Sequence, residues 1–346
     1  MKRILLFLGD YYFQNGKTGV GFYQGNIILG LKNDFDIVVS EEHFEMLPQN
    51  AHPIILSNIK RKLISLFKRF LPLDFFFPGY DIILIQSACF RHSKKTKQVK
   101  IIHDLMSFSE PYNYSLKQRL LHHYSACSDK SADVIIAVSQ TTKQAIHEIL
   151  RIEYNKIYVI PNITDFYVNN NPKDYFLFIG DMRKTKNLNS LIYGFSKYLK
   201  TFNGRNKLII AGNKKFEYNN IKRIVEKEGI ADKVIFKGYI SEDEKKELFS
   251  NANAFVFLSD NEGFGIPLLE AAVNKIPVLC SDIPIFHEVL NEKYAIYTNN
   301  KSPSDIAIGL RDISKKQINA IDAEELKSSY SRDIFNKLLN QLIEKL

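Results

Sequence analysis

The sequence predicts an α/β protein made of two open, parallel-stranded domains that face each other across a cleft. Three observations carry this. The chain has 346 residues, too many for one ordinary core and suited to two domains of ~150–170 residues. Twelve short apolar runs alternate with helical stretches, the pattern of an open α/β sheet. A polar segment, Asn162–Asp174, carries three successive Asn and a Pro and divides those runs into two series. Ligands of such sheets bind in the crevice at the strand ends, so the cleft is the default site.

The first series comprises strands at Ile4–Leu8, Ile37–Val39, Ile82–Ile85, Val99–Ile102, Val134–Val138 and Ile157–Ile160. They are nearly continuous in Val, Ile and Leu, as strands covered on both faces should be. A helical pattern after Ser139 runs through Thr141–Ile149. The second series is Tyr175–Ile179, Lys207–Ala211, Val234–Phe236, Ala254–Leu258, Pro277–Cys280 and Ala295–Tyr297, with helices at Leu188–Leu199 and Asn220–Glu228. Glu324–Leu346 reads as one charged amphipathic helix. The domains are therefore expected at 1–165 and 166–329, with 330–346 crossing back to the first.

Composition narrows the class. The chain is 45% hydrophobic and 25% charged, ordinary for a globular protein. Three cysteines, Cys89, Cys127 and Cys280, are odd in number and far apart. They fit no metal spacing and no disulfide framework, so a reducing, cytoplasmic setting is expected. The apolar run after Met1-Lys-Arg3 is five residues, shorter than the ~7–15 of a secretory signal, and reads as a buried first strand. No run approaches the ~20 apolar residues of a membrane span. Of the net charge of +9, residues 59–100 supply +8, with ten Lys/Arg and two Asp. That asymmetry points to an anionic partner for the first half. No nucleic-acid recognition motif accompanies it.

The segment Glu262-Gly-Phe-Gly-Ile-Pro-Leu-Leu-Glu270 is the most informative in the chain. It follows the apolar run Ala254–Leu258. Pro267 suits the first turn of a helix, where its missing N–H costs nothing. The free N–H groups within residues 266–269, those of Ile266, Leu268 and Leu269, then point out of the helix end with the positive end of its dipole, which is an anion site. Glu270 would lie one turn in, able to accept from sugar or ribose hydroxyls. Glu262 would sit across the same pocket. A single acid there would need no function, because an acidic first turn is favourable by ~0.3–1 kcal/mol through the dipole alone. Two acids around Gly-Phe-Gly and Pro ask for more.

This segment resembles the E-x7-E motif of retaining glycosyltransferases with two Rossmann-like domains, the GT-B fold, and most of all glycosyltransferase family 4 of mannosyltransferase type. Ser281–Leu290 (SDIPIFHEVL) is similar to the family as well. The resemblance implies that Glu270 binds the nucleotide ribose. It implies that Glu262 and the Gly263-Phe264-Gly265 backbone hold the donor sugar, and that the helix N-terminus holds the diphosphate. Gly180–Leu188 resembles the family's basic segment, with Lys186 matching its diphosphate lysine. The family's arginine places hold Asp181 and Thr185 here, leaving Arg183 and Lys184 as substitutes. Lys17-Thr-Gly19-Val20-Gly21 resembles the Gly-rich acceptor-side loop, followed by a helix from about Phe22; glycines permit close approach of a ligand to the backbone. Ile101-Ile-His-Asp104 resembles the His-Asp after a first-domain strand, which would turn His103 toward the donor sugar. A histidine at a strand end is by itself more often structural. Ser131–Ser139 and Ile160–Asn162 match later strands of that domain, and Phe236–Ile240 matches the nucleobase segment, which brings in Tyr239 and Ile240.

The implied activity is retaining transfer of a hexose, mannose before others, from a nucleotide diphosphate sugar to a glycan or lipid-linked oligosaccharide acceptor for a surface polysaccharide such as O-antigen. No Cys–His or Ser–His–Asp pair is evident, no cofactor is implied, and no metal is expected to be required. Rival readings are a nucleotide-sugar epimerase or hydrolase of the same fold and a non-catalytic binding subunit. In Ile59–Leu71, the residues Ile59, Leu63, Leu66, Phe67 and Phe70 share a helical face, with Lys60, Arg61, Lys68 and Arg69 around it. Together with Phe75-Phe-Phe77 this fits a helix resting on the cytoplasmic face of a membrane, through residues 59–77, or a helix packed on the sheet.

Overall fold

The computed structural model describes every residue except 1, 10, 11, 13–18, 69, 110, 112–114, 170, 215 and 216. The chain divides into two compact units, Met1–Ile163 with Tyr330–Leu346, and Thr164–Ser329.

The first unit opens with β1 (Ile4–Phe7), α1 (Gly19–Gly30), β2 (Phe35–Val38) and β3 (Ala51–Ile54). It continues through α2 (Asn58–Phe67), α3 (Leu73–Phe76), β4 (Ile82–Ile85), β5 (Lys97–Ile102), α4 (Met106–Ser109), α5 (Leu116–Asp129), β6 (Val134–Ala137), α6 (Gln140–Leu150) and β7 (Ile157–Val159). The seven strands form a parallel sheet in the order β3-β2-β1-β4-β5-β6-β7. Every residue of β4 and β6 is buried, which explains their unbroken apolar sequence.

The second unit runs β8 (Tyr175–Ile179), α7 (Leu188–Phe202), β9 (Lys207–Ala211), α8 (Tyr218–Glu228), β10 (Val234–Gly238), α9 (Glu242–Ser250) and β11 (Ala254–Phe257). Then come α10 (Ile266–Val273), β12 (Val278–Ser281), α11 (Pro284–Val289), β13 (Ala295–Thr298), α12 (Pro303–Ile313) and α13 (Ala320–Ser329). Its six strands are also parallel, in the order β10-β9-β8-β11-β12-β13. In each sheet the strand order reverses once, beside β1 and β4 in the first and beside β8 and β11 in the second. Open α/β sheets take ligands at the carboxyl ends of such strands.

Two expectations need correction. The closing helix is two helices: α13 ends at Ser329 and α14 spans Arg332–Lys345. Ser331 caps α14 by accepting from the Ile334 N–H at 3.4 Å, and the chain passes from the second unit to the first at this break. Within the first unit α14 then packs on α1, where Asn340 Nδ2 donates to the Gly30 carbonyl at 2.8 Å. Strand β3, Ala51-His-Pro-Ile54, had no apolar signature. It is an edge strand, where a proline is tolerated because one side of the ladder is unused.

The chain's one Asp-x-Asp spacing, Asp34-Phe-Asp36, sits at the start of β2. Asp36 accepts from the Tyr80 hydroxyl at 2.5 Å and lies 3.8 Å from Arg3. These contacts make it a structural carboxylate at the amino end of the sheet, away from the carboxyl ends.

Candidate functional site

In the second unit the glycine-rich turn between β11 and α10 takes the form its sequence requires. Gly265, at the N-cap of α10, has φ +92°, a conformation that favours glycine. A Cβ there would come within 2.1 Å of a Leu268 methyl group. Pro267 lies in the first turn. Phe264 and Leu268 are buried, so they anchor the turn, while Gly263 and Ile266 stay partly accessible. The expected row of free N–H groups is shorter than the sequence suggested: Leu268 and Leu269 donate to the Gly265 carbonyl at 3.1 and 3.4 Å and Pro267 has no N–H, which leaves that of Ile266.

Lys186 and Glu262 form an ion pair across this turn. Both side chains are largely buried, at 15% and 14% exposure, and the Lys186 ammonium lies 5.1 Å over the Phe257 ring. Lys186 ends a short 3-10 turn, Lys184–Lys186, closed by Asn187 at φ +52°. That turn is held by Asp260. Its backbone N–H donates to the Thr185 carbonyl at 2.8 Å, and its carboxylate accepts from Asn187, from Asn300 at 3.0 Å and from Lys301. At the carboxyl end of β9, Gly212 approaches the Gly180 carbonyl so closely that a Cβ would fall 1.8 Å from its oxygen.

Glu270 sits one turn into α10 and is buried. Its Oε1 accepts from Lys245 Nζ of α9 at 2.7 Å, and that ammonium lies 4.5 Å over the Phe166 ring. Its other oxygen, Oε2, is buried without a hydrogen-bond partner. Burial pushes the Glu270 carboxyl up, opposed by the Lys245 charge. A buried acceptor left unmade is costly, so this oxygen is poised for an incoming donor.

The structure brings Lys186, Glu262, Gly263–Gly265 and Glu270 together at the β11–α10 turn. Arg183 is half exposed and paired with Asp181 at 3.0 Å. Tyr239 is 73% exposed and Ile240 partly buried, in the turn between β10 and α9. They lie at the sheet edge, three strands from β11. Lys245, Asp260, Asn300 and Lys301 were not anticipated from sequence.

In the first unit a pocket of about 760 Å³ opens at the carboxyl ends of β1, β4 and β5. His103 lines it, as do Val20 and Asp104. Gln86 Nε2 donates to His103 Nε2 at 3.0 Å, while Gln86 Oε1 accepts from Gln24 Nε2 at 2.5 Å. The Tyr23 ring packs edge-on against the imidazole, with centroids 5.2 Å apart. Gly19, Val20 and Gly21 are the first turn of α1 rather than a loop before it; Lys17 and Thr18 lie outside the described residues. Ser139 is the N-cap of α6, accepting from Thr142 N at 2.9 Å. Cys89 and Cys280 are buried, and burial pushes both thiols up, Cys89 to about 12. Neither is a thiolate nucleophile at neutral pH.

A family model for glycosyl transferases group 1 matches residues 159–330, and one for glycosyltransferase family 4 matches residues 30–166. O-antigen chain mannosyltransferase RfbU of Salmonella typhimurium is 29% identical over 308 residues, covering 82% of this chain and 84% of that protein. Serotype-specific mannosyltransferase WbdA of Escherichia coli is 25% identical over 236 residues, 60% of this chain but only 28% of WbdA. Among solved structures, sucrose-phosphate synthase from Thermosynechococcus elongatus superposes with a TM-score of 0.73 at 13% identity, covering 100% of this chain and 99% of that one. Anabaena HepE in complex with UDP and glucose gives 0.70 at 15% identity, with both chains fully covered. At those identities the structural likeness is one of fold. The matched segments run from the first unit through the second, and the chain belongs to the family 4-like glycosyltransferases of the GT-B fold.

Proposed function

We propose that this glycosyltransferase is a retaining enzyme. It moves a hexose, mannose in preference, from a nucleotide diphosphate sugar to a lipid-linked glycan during O-antigen or related surface polysaccharide synthesis. The observation that carries this is the β11–α10 turn. A buried Lys186–Glu262 pair and an unpartnered Glu270 oxygen flank a glycine-capped helix N-terminus. The mannosyltransferase names of RfbU and WbdA support the sugar.

In this reading Glu270 Oε2 accepts from a ribose hydroxyl, and Glu262 with the Gly263–Gly265 backbone holds the hexose. Lys186, the Ile266 N–H with the positive end of the α10 dipole, and Arg183 stand at the diphosphate; Tyr239 and Ile240 serve the base. The anomeric C–O bond breaks, the sugar gains oxocarbenium character, and charge builds on the departing diphosphate oxygen. The acceptor oxygen bonds to the anomeric carbon from the same face, and its proton passes to that oxygen. Lys186 and the helix dipole stabilise the departing charge in place, the preorganised electrostatics that commonly dominates catalysis. With these cations present, no divalent metal is needed. His103, in the first-unit pocket, is the candidate for a contact to the transferred sugar.

The acceptor's lipid is supported by helix α2. Ile59, Leu63, Leu66, Phe67 and Phe70 are exposed, and within α2 only Ile64 is buried. The shared apolar face therefore points to solvent rather than to the sheet. Of Phe75–Phe77, Phe75 is exposed, Phe76 partly buried and Phe77 buried; Arg69 lies outside the described residues. A basic helix with an outward apolar face suits the surface of an anionic membrane. Among the described residues no helix is long and apolar enough to cross one.

Turnover of GDP-, UDP- and dTDP-hexoses by the purified chain tests the site. Glu262→Ala and Lys186→Ala are each expected to lower the rate with the best donor by about 10²–10³, or ~2.7–4 kcal/mol, and excess chelator to leave it unchanged. Undiminished turnover in both variants would take these residues out of the site. Free sugar released as fast without acceptor as with it would mark a hydrolase or epimerase instead.

A further inference from the structure

Glu270 is a buried carboxylate with one oxygen engaged and one left over. Its side chain is 8% exposed, and Oε2 has no hydrogen-bond partner. A buried carboxyl either meets a cation or keeps its proton. Lys245 of α9 supplies the cation. Its Nζ donates to Oε1 at 2.7 Å, and its own side chain is largely buried. The other charges that act on Glu270 are acids, Glu242 of α9 and Asp165, and they push its carboxyl up in the same direction as burial. Lys245 opposes all three.

Lys245 is itself held from two sides. It stands one turn into α9, which opens on a capping box: Ser241 Oγ accepts from the Glu244 N–H at 3.2 Å, and the Glu244 carboxylate accepts from the Ser241 N–H at 2.8 Å. That box fixes the first turn. The ammonium lies 4.5 Å over the Phe166 ring, a cation–π contact. Phe166 is buried and packs edge-on against Phe249 of α9, with centroids 5.2 Å apart. Buried Asn274 ties the Phe166 segment to α10. Its Nδ2 donates to the carbonyls of Phe166 and Glu270 at 2.8 and 2.7 Å, and its Oδ1 accepts from the Val168 N–H at 2.7 Å. Three segments distant in sequence thus converge on one ion pair. Stability alone does not call for this, since apolar side chains often replace a buried pair at no cost. The unmade Oε2 beside it is a further cost, which a ligand's donor would remove.

We propose that Lys245 is a positioning residue for the donor: it fixes Glu270 Oε1 and keeps the side chain a carboxylate, so that Oε2 meets the incoming hydroxyl. The proposal deepens the donor reading given above and rests on it, because it takes Oε2 as the acceptor for a ribose hydroxyl. A hydrogen bond to a charged acceptor is stronger than one to a neutral acceptor. Lys245 therefore acts on donor affinity, whereas Lys186 acts on the departing charge.

Steady-state kinetics of the full chain with the best of GDP-, UDP- and dTDP-hexoses, between about pH 6 and 8.5, tests this. Lys245→Met keeps an apolar stem on Phe166 without the charge. It is expected to raise the donor KM at least ~10-fold, about the strength of one hydrogen bond to a charged group, with a smaller change in kcat. That KM should fall as the pH rises, because a buried carboxyl without its cation ionises only at higher pH; the parent's should stay flatter. Lys245→Arg should recover most of the loss, and Glu270→Gln should raise KM at every pH. Infrared difference spectra at pH 7 should show a protonated carboxyl in Lys245→Met that disappears when Glu270→Gln is added, a signal that a merely structural lysine would not produce. The thermal midpoint shows whether Lys245→Met is folded. Where it is not, Lys245→Gln, which can still donate to Oε1, should show the same pH-dependent KM. A parent-like KM in the folded lysine variant, with Glu270→Gln impaired, would overturn the role of Lys245 and leave the ribose contact standing. An unchanged KM in Glu270→Gln would overturn the ribose contact itself, and the proposal with it.

Discussion

Burial, and then the Lys100 charge, push the His103 imidazole down to about 4, while Gln86 donates to its Nε2. At neutral pH the ring is therefore uncharged, with its proton on Nδ1. Its folded pKa lies below the unfolded value of 6.5. Its contribution to stability is thus present above pH 6.5 and is lost as the pH falls toward 4. Nitrogen NMR of the ring should find it neutral at pH 5.5, and His103→Gln should flatten that part of the stability profile. A titration midpoint near 6.5 would contradict the assignment. The local residues of the candidate site at the β11–α10 turn, Glu262, Gly263–Gly265, Glu270 and Lys186, stand in two short segments and were legible as such. Lys245 and Asp260 were not. Each reaches its partners only through tertiary packing: Lys245 is 25 residues from Glu270, and Asp260 is 41 from Lys301. No linear spacing marks such pairs.

At the scale of elements, twelve parallel strands were readable because each keeps a short run of apolar residues, unbroken where the strand is buried throughout, as in β4 and β6. Strand β3 escaped because an edge strand can carry His52 and Pro53. The start of α1 was placed late because Gly19 and Gly21 read as loop residues, although they form its first turn. Helix α2 was ambiguous for a different reason. An apolar face has the same periodicity whether it meets a sheet or a membrane, and the exposure of Leu66 and Phe67, 64% and 40%, shows only that this face is not packed on the sheet. Cosedimentation with vesicles containing anionic lipid follows from that exposure. The double variant Leu66→Glu, Phe67→Glu should lose most of the binding, since each apolar side chain contributes ~1.5–3 kcal/mol when buried. Its thermal midpoint should hold, because both residues are at the surface. Unchanged cosedimentation would remove α2 from the membrane.

Across the whole molecule, the candidate residues are divided between two sheets of the same plan. Each gathers its candidate residues where its strand order reverses: His103 near β1, β4 and β5, and Lys186, Glu262 and Glu270 near β8 and β11. Of the net charge of +9, +8 lies within residues 59–100, the stretch that supplies α2, Lys68 and Lys100. The concentration of charge was visible in the sequence. Its division into a Lys100 paired with Asp129, a pocket-lining Lys68 and an outward helix was not, because charge counting carries no burial. The central claim is retaining transfer from a nucleotide diphosphate hexose, and the anomeric configuration of the product tests it most directly. Purified chain, GDP-mannose and a lipid-linked glycan acceptor are expected to give an α-mannosidic linkage by proton and carbon NMR, matching the α-configuration of the donor. A β-linked product would contradict the account.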